Sequence, residues 1–233
     1  NNAAKLGIEP EKADYLVLSH GHIDHTGGLD PILKRCMERR FENADAPCPE
    51  LVAHPSAFVP KTIDEKFSIG MFVSREACAA HMKIRESRQP VWLTDRLVFL
   101  GEIERRFDFE QPGPIGLRHE ASGTVPDNLP DDTALAYVNE KGIVVITGCS
   151  HAGICNITEQ AKRITGIDRV YDIIGGFHLL EPSKDQLEGT AEYLKSLELP
   201  VLSACHCTDF NSRVRLAQVA PMREIGSGLS IEY

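Results

Sequence analysis

The sequence predicts a layered α/β (α+β) protein built on mixed sheet. Three observations carry that prediction. Tyr15-Leu16-Val17-Leu18 is an unbroken apolar run of strand length, as expected of a strand buried on both faces. From Ala134 onward, stretches of strand character alternate with stretches of helical character, which is the pattern of layered packing. Asn139-Glu140-Lys141-Gly142 joins two of those strands as a hairpin, so parallel pairing cannot account for the whole sheet.

Taken in order, Ala3–Leu6 reads as the tail of a helix, and Tyr15–Ser19 as a strand leading into a histidine-rich run. Asp30-Pro31 suits a helix start, with Asp30 as cap, Pro31 in the first turn, and Ile32, Leu33, Cys36 and Met37 as an apolar stripe. Phe41–Glu50 reads as a loop and Leu51–Ala53 as a strand. Ser74 suits the cap of a short helix running to Ala80. Val91–Leu93 and Leu97–Leu100 read as strands around a Thr94-Asp95-Arg96 turn, and Gly113–Pro130, rich in Gly and Pro, reads as a long loop. Ala134–Val138 and Ile143–Thr147 form the hairpin, followed by a helix near Asn156–Thr165 and a strand at Val170–Ile174. Ser183 to Gln186 has the spacing of a capping box for a helix reaching Leu197. A strand at Val201–Ala204, a helix near Ser212–Ala220 and a strand at Leu229–Glu232 complete the chain. The reading is one domain over 1–233, with a less regular insertion around 56–132.

With 233 residues, 42% of them hydrophobic, the chain can bury one sizeable core. A net charge of −9, with no long run of Lys or Arg, argues against a nucleic-acid or acidic-membrane surface. No apolar run approaches the ~20 residues that span a bilayer. No apolar leader follows Asn1, and seven cysteines, an odd number, point to free thiols and a cytoplasmic setting. The expected partner is a small-molecule substrate.

The chemistry concentrates in His20-Gly21-His22-Ile23-Asp24-His25. Four potential ligands lie within six residues where a buried strand ends, and imidazole and carboxylate are ligands for zinc and its neighbours. In an extended segment His20 and His22 point to one side and can grip one ion, while Asp24 and His25 fall where the chain turns and can serve a second. A solvated polar loop is the plain alternative, but a chain with nine histidines seldom produces such a cluster by chance.

Ser19–Leu29 is similar to the His-x-His-x-Asp-His signature of the metallo-β-lactamase superfamily. Further stretches resemble one branch of it, named 7,8-dihydropterin-6-methyl-4-(β-D-ribofuranosyl)-aminobenzene-5′-phosphate synthase. They are Gly101–Ile103, Asp131–Leu135, Ile146–Ile154, Ile174–Leu179 and Cys205–Thr208, so the resemblance runs from about Leu6 to the end. It implies an αββα sandwich and two metal ions, with zinc the leading choice and manganese or iron the alternatives. It also implies His20 and His22 as ligands of the first ion, Asp24 and His25 as ligands of the second, and His151 and His206 completing the sites. Asp24 is the candidate catalytic residue. The superfamily's bridging aspartate has no counterpart: Cys149 stands near its place, with Asp132 the weaker substitute. The histidine that usually precedes Ala134–Val138 is also missing, and His119 reads as a loop residue. His178 is read either as a ring hydrogen-bonded near a sheet edge or as a group that orients a ligand or contacts substrate phosphate. Of Cys205 and Cys207, which flank His206, at least one should face the core, and Cys155 reads as packing.

The family's usual strands before the metal loop have no counterpart ahead of Tyr15, so the sandwich is expected to lack its N-terminal strands, and a homodimer would cover the exposed edge. The leading functional expectation is a dinuclear metal-dependent hydrolase acting on a small phosphorylated or ester substrate, with a pterin phosphoribosyl compound suggested by the branch name. The alternatives are a metal-bound sensing or interaction module with little turnover and a di-iron redox protein.

Overall fold

The computed structural model describes residues 2–64, 66–111 and 113–233. In chain order the first half contains helix α1 (Asn2–Lys5), strand β1 (Tyr15–Val17), helices α2 (Ile23–Thr26) and α3 (Leu29–Glu42), and strand β2 (Glu50–Ala53). Strands β3 (Lys61–Ile63) and β4 (Phe67–Ser68), helix α4 (Arg75–Ala79) and strands β5 (Ile84–Glu86), β6 (Val91–Trp92) and β7 (Leu97–Phe99) follow. Then come β8 (Leu117–Glu120), β9 (Gly123–Pro126), β10 (Ala134–Asn139) and β11 (Gly142–Thr147). The remainder is α5 (Ile154–Thr165), β12 (Val170–Gly176), α6 (Lys184–Ser196), β13 (Ser203–Cys205) and α7 (Phe210–Ala217). These elements form two compact units, Asn1–Arg88 with Pro114–Asp131, and Gln89–Gly113 with Asp132–Tyr233.

In the first unit β1, β2 and β5 pair in parallel, with Leu16 opposite Leu51 and Leu51 opposite Ile84. Helix α3 closes the first crossover and buries Leu29, Leu33 and Cys36 against Leu18, Leu51 and Ala53. It begins at Leu29, before the expected Asp30 cap, and no side chain caps it. Pro31 therefore lies within the first turn, where its missing N–H costs nothing. Met37 is 37% exposed, so the buried stripe is narrower than the sequence suggested. Ser74 does cap α4, accepting from the Ala77 amide at 3.1 Å. A second, antiparallel sheet has the order β4-β3-β8-β9. This corrects the long loop expected over Gly113–Pro130. The β8–β9 hairpin carries Arg118, His119 and Glu120, with little apolar alternation to betray it, and it is fixed by pairing Lys61 with Arg118 across β3.

In the second unit the sheet order is β13-β12-β11-β10-β7-β6, with β11, β12 and β13 parallel and the rest antiparallel. Val145, Ile173 and Ala204 from the sheet pack with Ile154, Ile157 and Ala161 of α5 and with Ala191 and Leu194 of α6. Ser183 caps α6 as expected, accepting from the Gln186 amide at 3.1 Å. No strand forms over Leu229–Glu232. That segment has no ladder partner among the described residues and is anchored by the Tyr233 hydroxyl donating to Asp172 Oδ2 at 2.7 Å. The β13 strand likewise starts at Ser203 rather than Val201.

Helix α5 takes its cap from far along the chain. Glu110, 3% exposed, accepts from the amides of Cys155 at 2.8 Å and Asn156 at 2.9 Å. Burial pushes the Glu110 carboxyl above its ordinary pKa, and the Cys155 and Asn156 amides oppose the shift only in part. A pKa raised on folding gives stability that is present at low pH and lost as pH rises through the folded value. In urea unfolding, Glu110→Gln should therefore gain on the wild type as pH rises from about 4 towards 8. Glu110→Ala, which leaves both amides without their acceptor, should cost about 1–3 kcal/mol.

Candidate functional site

In the first unit the histidine run leaves the end of β1 and turns at once into α2, so Asp24 and His25 sit on helix rather than on extended chain. Three imidazoles meet there. The His20 and His22 ring centroids are 4.6 Å apart and those of His20 and His25 4.3 Å. His20 Nε2 faces His22 Nδ1 at 3.1 Å, and the Ser19 hydroxyl touches the Nδ1 atoms of His20 at 3.1 Å and His25 at 3.4 Å. Asp24 Oδ2 lies 3.3 Å from His25 Nε2, on a side chain that is 53% exposed.

These residues suit a metal ion. Two nitrogens each about 2.0–2.1 Å from one tetrahedral ion would stand about 3.3 Å apart, near the His20–His22 separation. Burial, and then the neighbouring Lys61 ammonium, lower the pKa of His22. Its ring therefore stays neutral below the ordinary histidine range, the form a metal ligand needs.

The loop rests on charges that sequence reasoning missed. Lys61 is fully buried and donates to Asp127 Oδ2 and Asp131 Oδ1, both at 2.8 Å. Asp131 uses its other oxygen to accept from the Gly21 amide at 2.8 Å. Arg118 Nη1 and the Leu129 amide close the set on Asp127 Oδ1 at 3.1 and 2.9 Å. Gly21 is required here because a Cβ would overlap the Ala57 carbonyl oxygen. The loop is pinned again where the Ile23 amide meets the Ile69 carbonyl at 2.9 Å. Asp131 belongs to a motif the sequence displayed. Lys61 carried no signal, because a lysine at a short strand's start reads as surface. His119, read as a loop residue, lies on β8 between Thr62 Oγ1 at 2.8 Å and Thr124 Oγ1 at 3.0 Å.

In the second unit the candidate residues follow the carboxyl ends of three adjacent parallel strands, the edge where open sheets of this kind bind ligands. Cys149 and His151 follow β11, His178 follows β12, and His206 follows β13. His151 is buried and His206 is exposed. The His151 turn is tightly held. Ser150, with a left-handed φ of 60°, donates to the Gly176 carbonyl at 2.7 Å and meets Thr147 Oγ1 at 2.9 Å. Asp132 accepts from the Ala152 amide at 2.8 Å, and Arg105 Nη1 reaches the His151 carbonyl at 3.3 Å. The contact seen for Asp132 is thus support of the loop that carries His151.

His178 packs its ring on that of His151, with centroids 4.3 Å apart, and its amide donates to Cys207 Sγ at 3.2 Å. Cys207 is buried while Cys205 is half-buried, so one of the pair faces inward as expected. Hydrogen bonding to Cys149 and His178 holds the Cys207 thiol down to about 5 against the opposing effect of burial. The glycines before His178 allow this packing: a Cβ on Gly176 would lie 2.5 Å from Cys207 Sγ. Cys155 is buried in α5 among apolar neighbours.

Residues 2–206 match the model of the metallo-β-lactamase superfamily. The chain belongs to that superfamily. It is 35% identical over 219 residues to the 7,8-dihydropterin-6-methyl-4-(β-D-ribofuranosyl)-aminobenzene-5′-phosphate synthase of Methanocaldococcus jannaschii, an alignment that takes in 91% of this chain and 71% of the relative. An uncharacterized protein of the same organism, MJ0448, is 31% identical over 216 residues, covering 92% of this chain and 77% of that one. Among solved structures, a metal-dependent hydrolase of the β-lactamase superfamily aligns with a TM-score of 0.81 at 24% identity, over 99% of this chain and 83% of that one. The chain therefore has the metallo-β-lactamase fold. One relative bears the name of a synthase rather than a hydrolase. No helix among the described residues is long and apolar enough to cross a membrane.

Two outcomes follow for the charge cluster under the metallo-β-lactamase histidine run. Lys61→Met leaves two buried carboxylates facing each other and should cost about 3–5 kcal/mol in urea unfolding. By removing the nearby positive charge it should also raise the His22 pKa, read from the imidazole proton shifts of the metal-free protein by NMR.

Proposed function

We propose that this chain is a metal-dependent enzyme acting on a small phosphorylated or ester substrate, with hydrolysis the leading reaction type. The observation that supports this most is the convergence of His20, His22 and His25 at the end of a buried strand, with neutral His22 favoured by its surroundings. The superfamily motif extends the ligand set to His20, His22, Asp24, His25, His151 and His206, for two divalent ions with zinc the first choice. Such ions would acidify water and stabilise charge on an attacked phosphoryl or carbonyl oxygen.

The chain's own contributions can be derived separately. Asp24 is the most exposed of the four candidates in the run and stands 3.3 Å from His25, where it can orient a nucleophile and receive its proton. Ser19 bonds two of the imidazoles and fixes which nitrogen each turns outward. The Lys61 cluster holds the Gly21 backbone, and with it the separation of the flanking rings. The relative's name speaks of a dihydropterin, a ribofuranosyl group and a phosphate. We carry over the substrate class, a pterin-type phosphoribosyl compound, as the first to screen.

Metal analysis of protein purified without added metal should find about two equivalents of a divalent ion. Bis-p-nitrophenyl phosphate turnover should disappear on chelation and return with zinc or manganese. Asp24→Asn should lower kcat by 10²-fold or more, the size of a lost general base. His22→Ala should lose metal and turnover together. Metal bound without turnover of any ester would contradict the enzymatic reading and leave a sensing module.

A further inference from the structure

Cys149 and Cys207 stand on the loops that follow β11 and β13, and β12 lies between those strands. Neighbouring strands are about 4.8 Å apart, so positions two strands away are separated by about 10 Å, beyond the reach of a disulfide. Past the strand ends the two loops converge. Cys207 Sγ donates to the Cys149 carbonyl at 3.3 Å, and the two thiols share a hydrogen bond. Gly176, on the strand between them, makes this approach possible. Its amide donates to the Gly148 carbonyl at 2.8 Å, and a Cβ on it would lie 2.5 Å from Cys207 Sγ and 2.7 Å from the Gly148 oxygen. Ser150 and His206, each next to one of the cysteines, are left-handed with φ of 60° and 49°. Such backbone persists only where its surroundings impose it, and here it accompanies the meeting of the two sulfurs.

The sulfurs meet among the candidate metal ligands of this unit. Cys149 Sγ lies within 4.8 Å of a ring nitrogen of His151 and within 4.8 Å of a ring nitrogen of His206. Both cysteines are buried, but His206 is exposed, which leaves the cluster open on that side to a solute as small as hydrogen peroxide. Cys155, by contrast, is enclosed in the apolar core beneath α5.

We propose that Cys149 and Cys207 are a reversible oxidation site, bridged by a disulfide when hydrogen peroxide is the oxidant, and that the bridge closes this part of the site to metal. Peroxide oxidises one thiol to a sulfenic acid and releases water. The other sulfur then attacks the sulfenic sulfur, so that the S–S bond forms, the S–O bond breaks and a second water leaves with the thiol proton. Two electrons and two protons pass from the cysteines, and one peroxide becomes two waters. A dithiol reductant reverses the step by exchange. The S–S bond of about 2.05 Å is roughly 1.5 Å shorter than a contact between unbonded sulfurs, so the His151 and His206 loops must shift as it forms. Metal sites hold their ligand distances within about 0.2 Å and do not absorb such a shift. The bridge depends only on the geometry of the two loops, whereas the closure rests on the reading of His151 and His206 as metal ligands.

The test treats the full chain, reduced and freed of metal, with a slight excess of hydrogen peroxide, then alkylates the remaining thiols and maps the product by mass spectrometry. The expected product has lost two hydrogens, its fragments join Cys149 to Cys207, and dithiothreitol restores the starting mass. Cys205→Ser should form the same bridge and Cys207→Ser should not. Calorimetric titration of zinc should find the oxidised protein at least about tenfold weaker than the reduced one, with recovery after reduction and removal of the reductant. Cys149 and Cys207 left reduced while other cysteines oxidise, or carried to sulfinic acid without a bridge, would overturn the oxidation site. A mapped bridge with unchanged zinc affinity would overturn the closure. A bridge in a chain whose reduced form binds no zinc keeps the oxidation site and removes the metal-ligand reading instead.

Discussion

The arrangement of the histidine run depends on a buried lysine. Lys61 lies between Asp127 and Asp131, all three inaccessible to water. Burying such charges is expensive, and the attraction between them offsets that cost only when geometry and hydrogen bonding are good. Here nearly every strong donor and acceptor is used, because Asp131 also takes the Gly21 amide and Asp127 also takes Arg118 and the Leu129 amide. The result is stiffness rather than stability alone. A glycine backbone pressed against Ala57 and tied to a carboxylate leaves the rings on either side little freedom, and metal ligands have to be preorganised if affinity is not to be spent on ordering them.

The second unit solves the corresponding problem with strand direction. Three parallel strands end side by side, and each releases a loop bearing a candidate group. Close packing then needs residues without side chains at the crossing points, which is why Gly175 and Gly176 precede His178. Left-handed backbone at Ser150, His178 and His206 shows that these loops are held against local preference. That strain is paid for by hydrogen bonds such as Ser150 to Gly176 and His178 to Cys207.

Much of this was legible in the sequence. The strand before the histidines, the hairpin after Ala134, the Ser74 and Ser183 caps and the strand-helix alternation rest on local rules, namely periodicity, turn residues and capping, and these were found close to their expected places. The β8–β9 hairpin was not, because its residues are polar and its order comes from pairing with β3, a partner more than fifty positions away in sequence. The final strand expected at Leu229–Glu232 failed for the opposite reason: β-prone residues without a ladder partner do not make a strand. At the site, the meeting of the His20 and His22 rings was readable from the spacing of the run. The support beneath it was not, since nothing local distinguishes a buried Lys61 from a surface lysine, and only the fold brings Asp127 and Asp131 to it.

The most direct measurement is calorimetric titration of zinc into the metal-free wild type and into Asp131→Asn, with circular dichroism confirming that both are folded. Asparagine keeps the shape but weakens the hold on both Lys61 and the Gly21 amide. Affinity 10–100-fold weaker in the variant is the result expected of a partner that orients metal ligands. Equal affinity in the two proteins would contradict the claim that the buried charge cluster sets the histidine run.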